Sequence, residues 1–222
     1  ASFVADVYAS GRLVRVGLPG EATRDPASGD WQLSTATFCG ALAALPLLLL
    51  GRLPTRKELD DFSLSLRRQW ALPGPIEAFI GVVPPHAHPM DVLRTGVSLL
   101  GMTDPPGTGG VSAPPGRAGA TNGSHDDNVR KAIRLVAQTP VLIATAHRLA
   151  HGKRRVQPRE DLGFAANLLY LLTDRHGDAV AKAMARVLDV SLILYAEHEF
   201  NASTFAARVT ASTLADLHGA IT

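Results

Sequence analysis

The sequence predicts an all-α fold, with at most a short strand pair near the N-terminus. Three observations lead to this class: apolar residues recur at helical spacing from Thr55 onward, helix start and stop signals flank those repeats, and strand-like alternation is scarce. A stretch rich in Gly and Pro at 103–124 fits a flexible loop inserted between helices. We therefore expect one domain over residues 1–222.

The first 50 residues give the weakest pattern. The sequence LVRV at 13–16 favours a short strand, and residues 18–30 are rich in turn formers. The apolar run ALAALPLLLL at 41–50 is too short to cross a bilayer and contains Pro46, so we interpret it as part of the core.

A helix is predicted to begin at Thr55, because Thr55 and Glu58 have the spacing of a capping box. This helix should bury Leu59, Phe62 and Leu66 and end before Pro73.

A second helix is predicted from HPMDVLRTGVSLLG, where Pro89 suits a first turn. Its expected buried face consists of Met90, Leu93, Val97 and Leu100. Further helices are predicted at 126–151 with a break or kink at Pro140, and at 162–173, 178–199 and 203–218.

Composition narrows the classes of partner. The chain has 222 residues, 46% of them hydrophobic, and a formal net charge of +2 from 22 basic and 20 acidic side chains. The charges are interspersed, so we expect neither nucleic acid nor a membrane as partner. The single cysteine, Cys39, cannot form an internal disulfide, and we recognise no secretion leader. Both features favour a cytoplasmic location.

Two histidine groups have the residue types of a metal site but favour structural roles. His86, His88 and Asp91 follow no recognised metal-binding spacing, and a helix start explains His88. His147 and His151 are one helical turn apart, but the glutamate of a metalloprotease helix is missing between them. Gly152 is interpreted as the stop of that helix. We expect no metal site.

Two other motifs are also expected to be structural. The glycines of GTGG at 107–110 lack the Lys-Ser/Thr pair of a phosphate loop. Asn201-Ala-Ser matches a glycosylation acceptor, although a helix cap is the preferred interpretation.

The stretch YAEHEFNASTF at 195–205 differs from these, because an apolar helix leads into Glu197, His198 and Glu199 and a second helix follows. An imidazole at such a junction can donate a hydrogen bond to an oxyanion or enolate in a cleft. A hydrogen-bonded structural histidine would give the same spacing, so the residues alone leave both roles open.

The sequence SLILYAEHEFNASTFAARVTAST resembles the segment of citrate synthases and 2-methylcitrate synthases that carries a catalytic histidine. Other stretches match the family in order: LLLLGRLPTRKEL at 47–59, HPMDVLRTGVSLLG at 88–101, NVRKAIRLVAQTP at 128–140 and DLGFAANLLYLL at 161–172. The resemblance covers most of residues 47–222 and implies a citrate-synthase-like large helical domain. HPMDVLRTGVS and LYAEHEFNASTF look somewhat closer to the methylcitrate branch.

The resemblance implies condensation of acetyl-CoA or propionyl-CoA with oxaloacetate, no bound cofactor and a homodimer. It assigns His198 as the catalytic donor to the thioester oxygen, with Asn167 and Asn201 as substrate-binding residues.

We recognise neither a GHxVY-like segment with a second catalytic histidine nor the aspartate that acts as the family's base. We expect the glycine-rich LHGGAN-like motif only beyond DLHGAIT. We therefore expect an incomplete, weakly active or inactive form. The alternative is a non-catalytic helical dimerisation or binding module.

Overall fold

The structure is a computed structural model, and it describes residues 4–9, 12–17, 23–24, 31–34, 41–104, 125–196 and 201–222. In this part of the chain four strands come first: β1 (Val4–Ala9), β2 (Arg12–Gly17), β3 (Thr23–Arg24) and β4 (Trp31–Ser34). The helices are α1 (Ala41–Leu50), α2 (Arg56–Arg67), α3 (Gly74–Val82), α4 (Pro89–Met102), α5 (His125–Ala150), α6 (Phe164–Thr173), α7 (Ala179–Ala196), α8 (Ala202–Ser212) and α9 (Leu217–Ile221). The fold is mostly helical, as predicted.

The N-terminal sheet is larger than the short strand pair that we predicted. Its strand order is β1-β2-β4-β3, with β1 antiparallel to β2, β2 parallel to β4 and β3 antiparallel to β4. LVRV at 13–16 lies inside β2, so that strand is confirmed. The two missed strands are two and four residues long, and such short segments show no periodicity that a sequence could reveal.

The described parts of the chain group into two compact units. One comprises Ala1–Ser63, Leu162–Leu169 and Arg175–Asn201, and the other comprises Leu64–Asp161, Tyr170–Asp174 and Ala202–Thr222. The single domain over 1–222 stays a prediction, and residues 105–124 of the expected loop lie outside the described residues.

In the first unit, α1 packs against α7 and begins at a carboxylate from that helix. The Ala41 N–H donates to Asp189 Oδ1 at 2.9 Å, which satisfies one of the free amides at the N-terminus of α1. Partial burial raises the pKa of Asp189, although the hydrogen bond from Ala41 opposes that shift. The apolar run at 41–50 thus forms a helix that the sequence did not reveal, since its apolar residues cover all faces.

The predicted capping box at α2 is confirmed. The Thr55 N–H donates to Glu58 Oε2 at 2.8 Å, and the Glu58 N–H donates to Thr55 Oγ1 at 3.3 Å. Hydrogen bonds from Arg52 and Thr55 lower the pKa of Glu58 to about 2. Of the three expected core residues, Leu59 and Leu66 are buried and Phe62 is half-buried.

The second unit has its core between α3, α4 and α5. Eleven buried apolar residues form this cluster: Leu72, Ile76, Ile80, Val97, Leu100, Leu135, Val141, Leu142, Ala144, Val156 and Leu171. Met90 was expected in this core but is 61% exposed, because the buried face of α4 runs through Val92, Gly96, Val97 and Leu100.

Two predicted helix boundaries differ from the structure. The helix α5 continues through Pro140 without a break. The helix predicted at 203–218 is instead two helices, because Leu214 adopts a left-handed φ of 68° and Asp216 caps a new start at Leu217.

Candidate active site

His198 cannot be described structurally. The helix α7 ends at Ala196 and α8 begins at Ala202, which agrees with the predicted helix junction, but residues 197–200 lie outside the described residues. The catalytic role of His198 therefore stays a prediction.

The two asparagines predicted to bind substrate, Asn167 and Asn201, lie in the first unit. Asn167 is on α6 and is 3% exposed. Asn201 directly precedes α8 and is half-buried. A buried amide in a helix needs hydrogen-bond partners, and a bound ligand or the protein can both supply them. Their roles stay predictions as well.

The structure reveals a buried histidine that we did not predict as a site. His218 is the second residue of α9 and is 4% exposed. Asp216 caps this helix by accepting a hydrogen bond at 2.7 Å from the Gly219 N–H. Gly101 of α4 leaves the room that the histidine occupies, since a Cβ atom at Gly101 would lie 2.9 Å from the His218 Cβ.

Charged side chains surround His218. Its Nε2 atom lies 3.5 Å from Asp104 Oδ2, and the other oxygen of Asp104 accepts from Arg134 Nη1 at 2.8 Å. The Asp104 side chain is 2% exposed, and its Oδ2 atom has no hydrogen-bond partner among the described residues. Lys131, also buried, lies one turn before Arg134 on α5. Asp104 follows the end of α4, Lys131 and Arg134 lie in the first half of α5, and His218 lies in α9. The charged groups therefore connect these three helices.

This environment favours the neutral form of the His218 imidazole. Burial lowers the pKa of His218, the charges of Lys131 and Arg134 lower it further, and Asp104 and Asp216 oppose the shift. A neutral imidazole can donate one hydrogen bond to an oxygen that gains negative charge and can accept a proton at its other nitrogen. His218 therefore has the chemistry of an acid, a base or an electrophilic donor.

A signal for His218 was present in the sequence. The triplet Leu217-His218-Gly219 equals the first three letters of the LHGG motif that we expected only beyond the residues DLHGAIT. Its partners carry no such signal, because Asp104 and Arg134 are 114 and 84 positions away (218 − 104 and 218 − 134).

A second group of histidines lines a cavity of about 850 Å³ in the same unit. Its walls come from the end of α3, the start of α4 and the end of α5, and they are apolar except for His147 and His151. Partial burial lowers the pKa of His147, as do the neighbouring charges of His151, Lys153 and Arg148.

The residues around the start of α4 have structural roles, as predicted. His88 caps α4, since its Nδ1 atom accepts from the Met90 N–H at 3.2 Å, and Asp91 pairs with Arg94. Gly152 ends α5 with a φ of +65°, as predicted. In the described part of the chain, three or more His, Cys, Asp or Glu residues nowhere cluster as a metal would require.

Comparison with known proteins gives the family. The model of the citrate synthase C-terminal domain matches residues 34–222. The chain belongs to the citrate synthase family. It is 37% identical over 183 residues to the citrate synthase of Heyndrickxia coagulans, covering 82% of this chain and 45% of that protein. It is 39% identical over 177 residues to the 2-methylcitrate synthase of Shewanella oneidensis, covering 79% of this chain and 42% of that protein.

Solved structures of this family have the same fold. The citrate synthase of Pyrobaculum aerophilum superposes with a TM-score of 0.69 at 34% identity, covering 84% of this chain and 44% of that chain. This citrate synthase family chain thus spans less than half the length of the relatives it matches. None of its described helices is both long enough and apolar enough to cross a membrane.

Proposed function

We propose that the protein condenses an acyl-CoA thioester with oxaloacetate, giving citrate from acetyl-CoA or 2-methylcitrate from propionyl-CoA, and free CoA. The observation that carries this proposal is the identity of 37% and 39% to a citrate synthase and to a 2-methylcitrate synthase over about four fifths of the chain. Relatives of both kinds match at similar identity, so both acyl groups stay within the proposal.

The reaction requires a base at the acyl α-carbon and hydrogen-bond donors at two oxygens. We assign His198 the thioester oxygen, where negative charge develops as the enolate forms. One preorganised donor of this kind is worth about 3 kcal/mol of barrier. The family's base lies in a segment that we do not recognise in these residues, so activity of the 222 residues alone is expected to be weak.

His218 is our candidate for the second donor. Its burial supports this role, because a neutral imidazole held away from water can donate to a developing oxyanion without being diverted by solvent. We further propose that the amides of Asn167 and Asn201 hold oxaloacetate, whose carboxylates accept hydrogen bonds from such groups.

We also propose a cytoplasmic homodimer. Large apolar side chains are exposed on α7 and α8: Val187 is 69% exposed, Tyr195 is 76% exposed and Phe205 is 71% exposed. Side chains of this kind become buried when copies of a chain associate. Sedimentation equilibrium would test this, since a monodisperse monomer at high micromolar concentration would contradict the dimer.

The catalytic proposal is tested by CoA release from acetyl-CoA or propionyl-CoA in the presence of oxaloacetate, measured in a preparation that turns over. We expect His198→Ala and His218→Gln each to lower kcat by about 10²- to 10³-fold, with circular dichroism unchanged. His176→Ala, which removes an exposed histidine, serves as the matched control and should retain full activity.

The two residues can be judged separately. Retained activity in His198→Ala would overturn its assignment as the donor, and retained activity in His218→Gln would leave His218 a structural residue. A protein that turns over neither thioester, yet forms a stable dimer, would favour the non-catalytic module instead.

A further inference from the structure

A pair of adjacent imidazoles lies at the C-terminal end of α5, with His147 in its last turn and His151 directly after Ala150. His147 and His151 are four residues apart, their ring centroids lie 4.3 Å apart, and the ring planes are inclined by 42°. Two nitrogens bound to one tetrahedral zinc ion at about 2.0–2.1 Å lie about 3.3 Å from each other. The two rings are therefore close enough for one ion to reach a nitrogen of each.

A backbone carbonyl sets the tautomer of His151. Its Nδ1 atom lies 2.8 Å from the carbonyl oxygen of His147. A carbonyl can only accept a hydrogen bond, so Nδ1 carries the proton and Nε2 retains its lone pair. Histidines that bind metals have this arrangement, with one ring nitrogen donating to a carbonyl or carboxylate and the other facing the ion.

Lys153 and Arg148 are the cations whose charges act on His147, and the Arg148 guanidinium is engaged by other groups. Arg148 is buried, and its guanidinium group donates to the carbonyl oxygens of Arg154 at 2.7 Å and Leu172 at 3.4 Å. It also lies 3.5 Å from Asp174. Its charge is therefore partly balanced by these oxygens, which reduces its repulsion of a second cation near the helix end.

The surroundings of the pair leave coordination positions open. Both histidines are exposed and both line the cavity of about 850 Å³. An ion held by two imidazoles would therefore keep positions for water or for a small ligand inside the cavity. Imidazole nitrogens suit Zn²⁺, Ni²⁺ and Cu²⁺, whereas Mg²⁺ prefers oxygen ligands.

We propose that His147 and His151 form a binding site for a divalent transition-metal ion, with Nε2 of His151 as one ligand and a ring nitrogen of His147 as the other. Neither ligand is a residue to which we assign a step of the condensation. The site is open, with two protein ligands, because no third His, Cys, Asp or Glu joins them in the described chain.

The experiment is a calorimetric titration of the full chain with CuCl₂, NiCl₂, ZnCl₂ and MgCl₂. We expect binding of one Cu²⁺ ion, weaker binding of Ni²⁺ and Zn²⁺ and no binding of Mg²⁺, following the order of affinities for nitrogen ligands. His147→Ala and His151→Ala should each weaken the affinity by about 10-fold or more, because each removes one of two ligands.

His176→Ala is the matched control, as it removes one exposed imidazole outside the cavity lining. Equal weakening in this control would indicate adventitious histidine binding only and would overturn the proposal, as would unchanged affinity in both test variants. Because an alanine variant could lose part of α5, the wild type is also examined by NMR. Broadening by Cu²⁺ should begin at the ring signals of His147 and His151, and broadening that begins elsewhere would contradict the site.

Discussion

The two ends of α5 lie beside histidines in opposite environments. Near the first half, His218 is buried beside Asp104, Arg134 and Lys131, which come from two other helical segments. At the C-terminal end of α5, His147 and the following His151 are exposed, and their rings contact each other. The comparison shows that the chemistry of a histidine depends on its exposure to solvent and on its neighbours. A histidine buried beside a carboxylate suits proton transfer or hydrogen-bond donation, whereas an exposed pair of histidines suits metal binding.

The largest expected effect comes from removing the cation that holds Asp104. In Arg134→Met the Asp104 carboxylate stays buried without its partner, so the free energy of unfolding should fall by about 3–5 kcal/mol. Urea denaturation monitored by circular dichroism measures this. Adding Asp104→Asn should restore much of the loss, because the buried charge is then gone.

Arg94→Met is the matched control for this ion pair. Arg94 and Asp91 form a pair at 2.9 Å on the same molecule, with side chains 64% and 62% exposed. Its loss should change the free energy of unfolding by no more than about 1 kcal/mol. If the two arginine variants lowered the free energy of unfolding equally, the Arg134–Asp104 pair would not be buried as described.

A smaller effect is expected where Gly101 meets His218. Gly101→Ala places a methyl group 2.9 Å from the His218 Cβ, and such overpacking costs about 1–3 kcal/mol, against a gain of up to about 1 kcal/mol in helix propensity. Thermal unfolding should therefore show a lower Tm. Gly81→Ala in α3 meets no atom within 4 Å and should be neutral or stabilising.

The smallest expected effect is a pH dependence of stability. Burial lowers the pKa of His218 in the folded state, so the unfolded chain takes up that proton first as the pH falls below about 6.5. The free energy of unfolding should decrease from about pH 7.5 to about pH 5.5, and His218→Gln should decrease less over the same range.

The role of Asp104 in this titration can be measured separately. Its charge raises the pKa of His218 against the effect of burial, so in Asp104→Asn the NMR titration midpoint of His218 should move further down. An upward shift would contradict the assigned geometry. The signal of His147 should keep its midpoint, since its pKa is lowered by desolvation and by the charges of its own neighbours.

Local sequence signals predicted local structure. The Thr55–Glu58 capping box, the Gly152 helix stop and the spacing of His147 and His151 all involve residues within a few positions of each other. The partners of His218 come from α5 and from Asp104, two residues after α4, and chain folding brings them together across the intervening residues. Such pairs follow from tertiary packing, which apolar spacing does not encode. The family resemblance identified YAEHEFNAST, but it also led us to overlook the Leu-His-Gly triplet at 217–219.

Pro140 lies between the two ends of α5 and removes one bond from its ladder of backbone hydrogen bonds. Proline has no N–H, so the intrahelical bond that would end on the carbonyl of Val136 cannot form. The 26 residues of α5 extend for about 39 Å as one helix, and its ladder lacks this single bond. Fraying that starts at the exposed His151 end meets the missing bond at Pro140, and amide exchange along α5 should change in a step there.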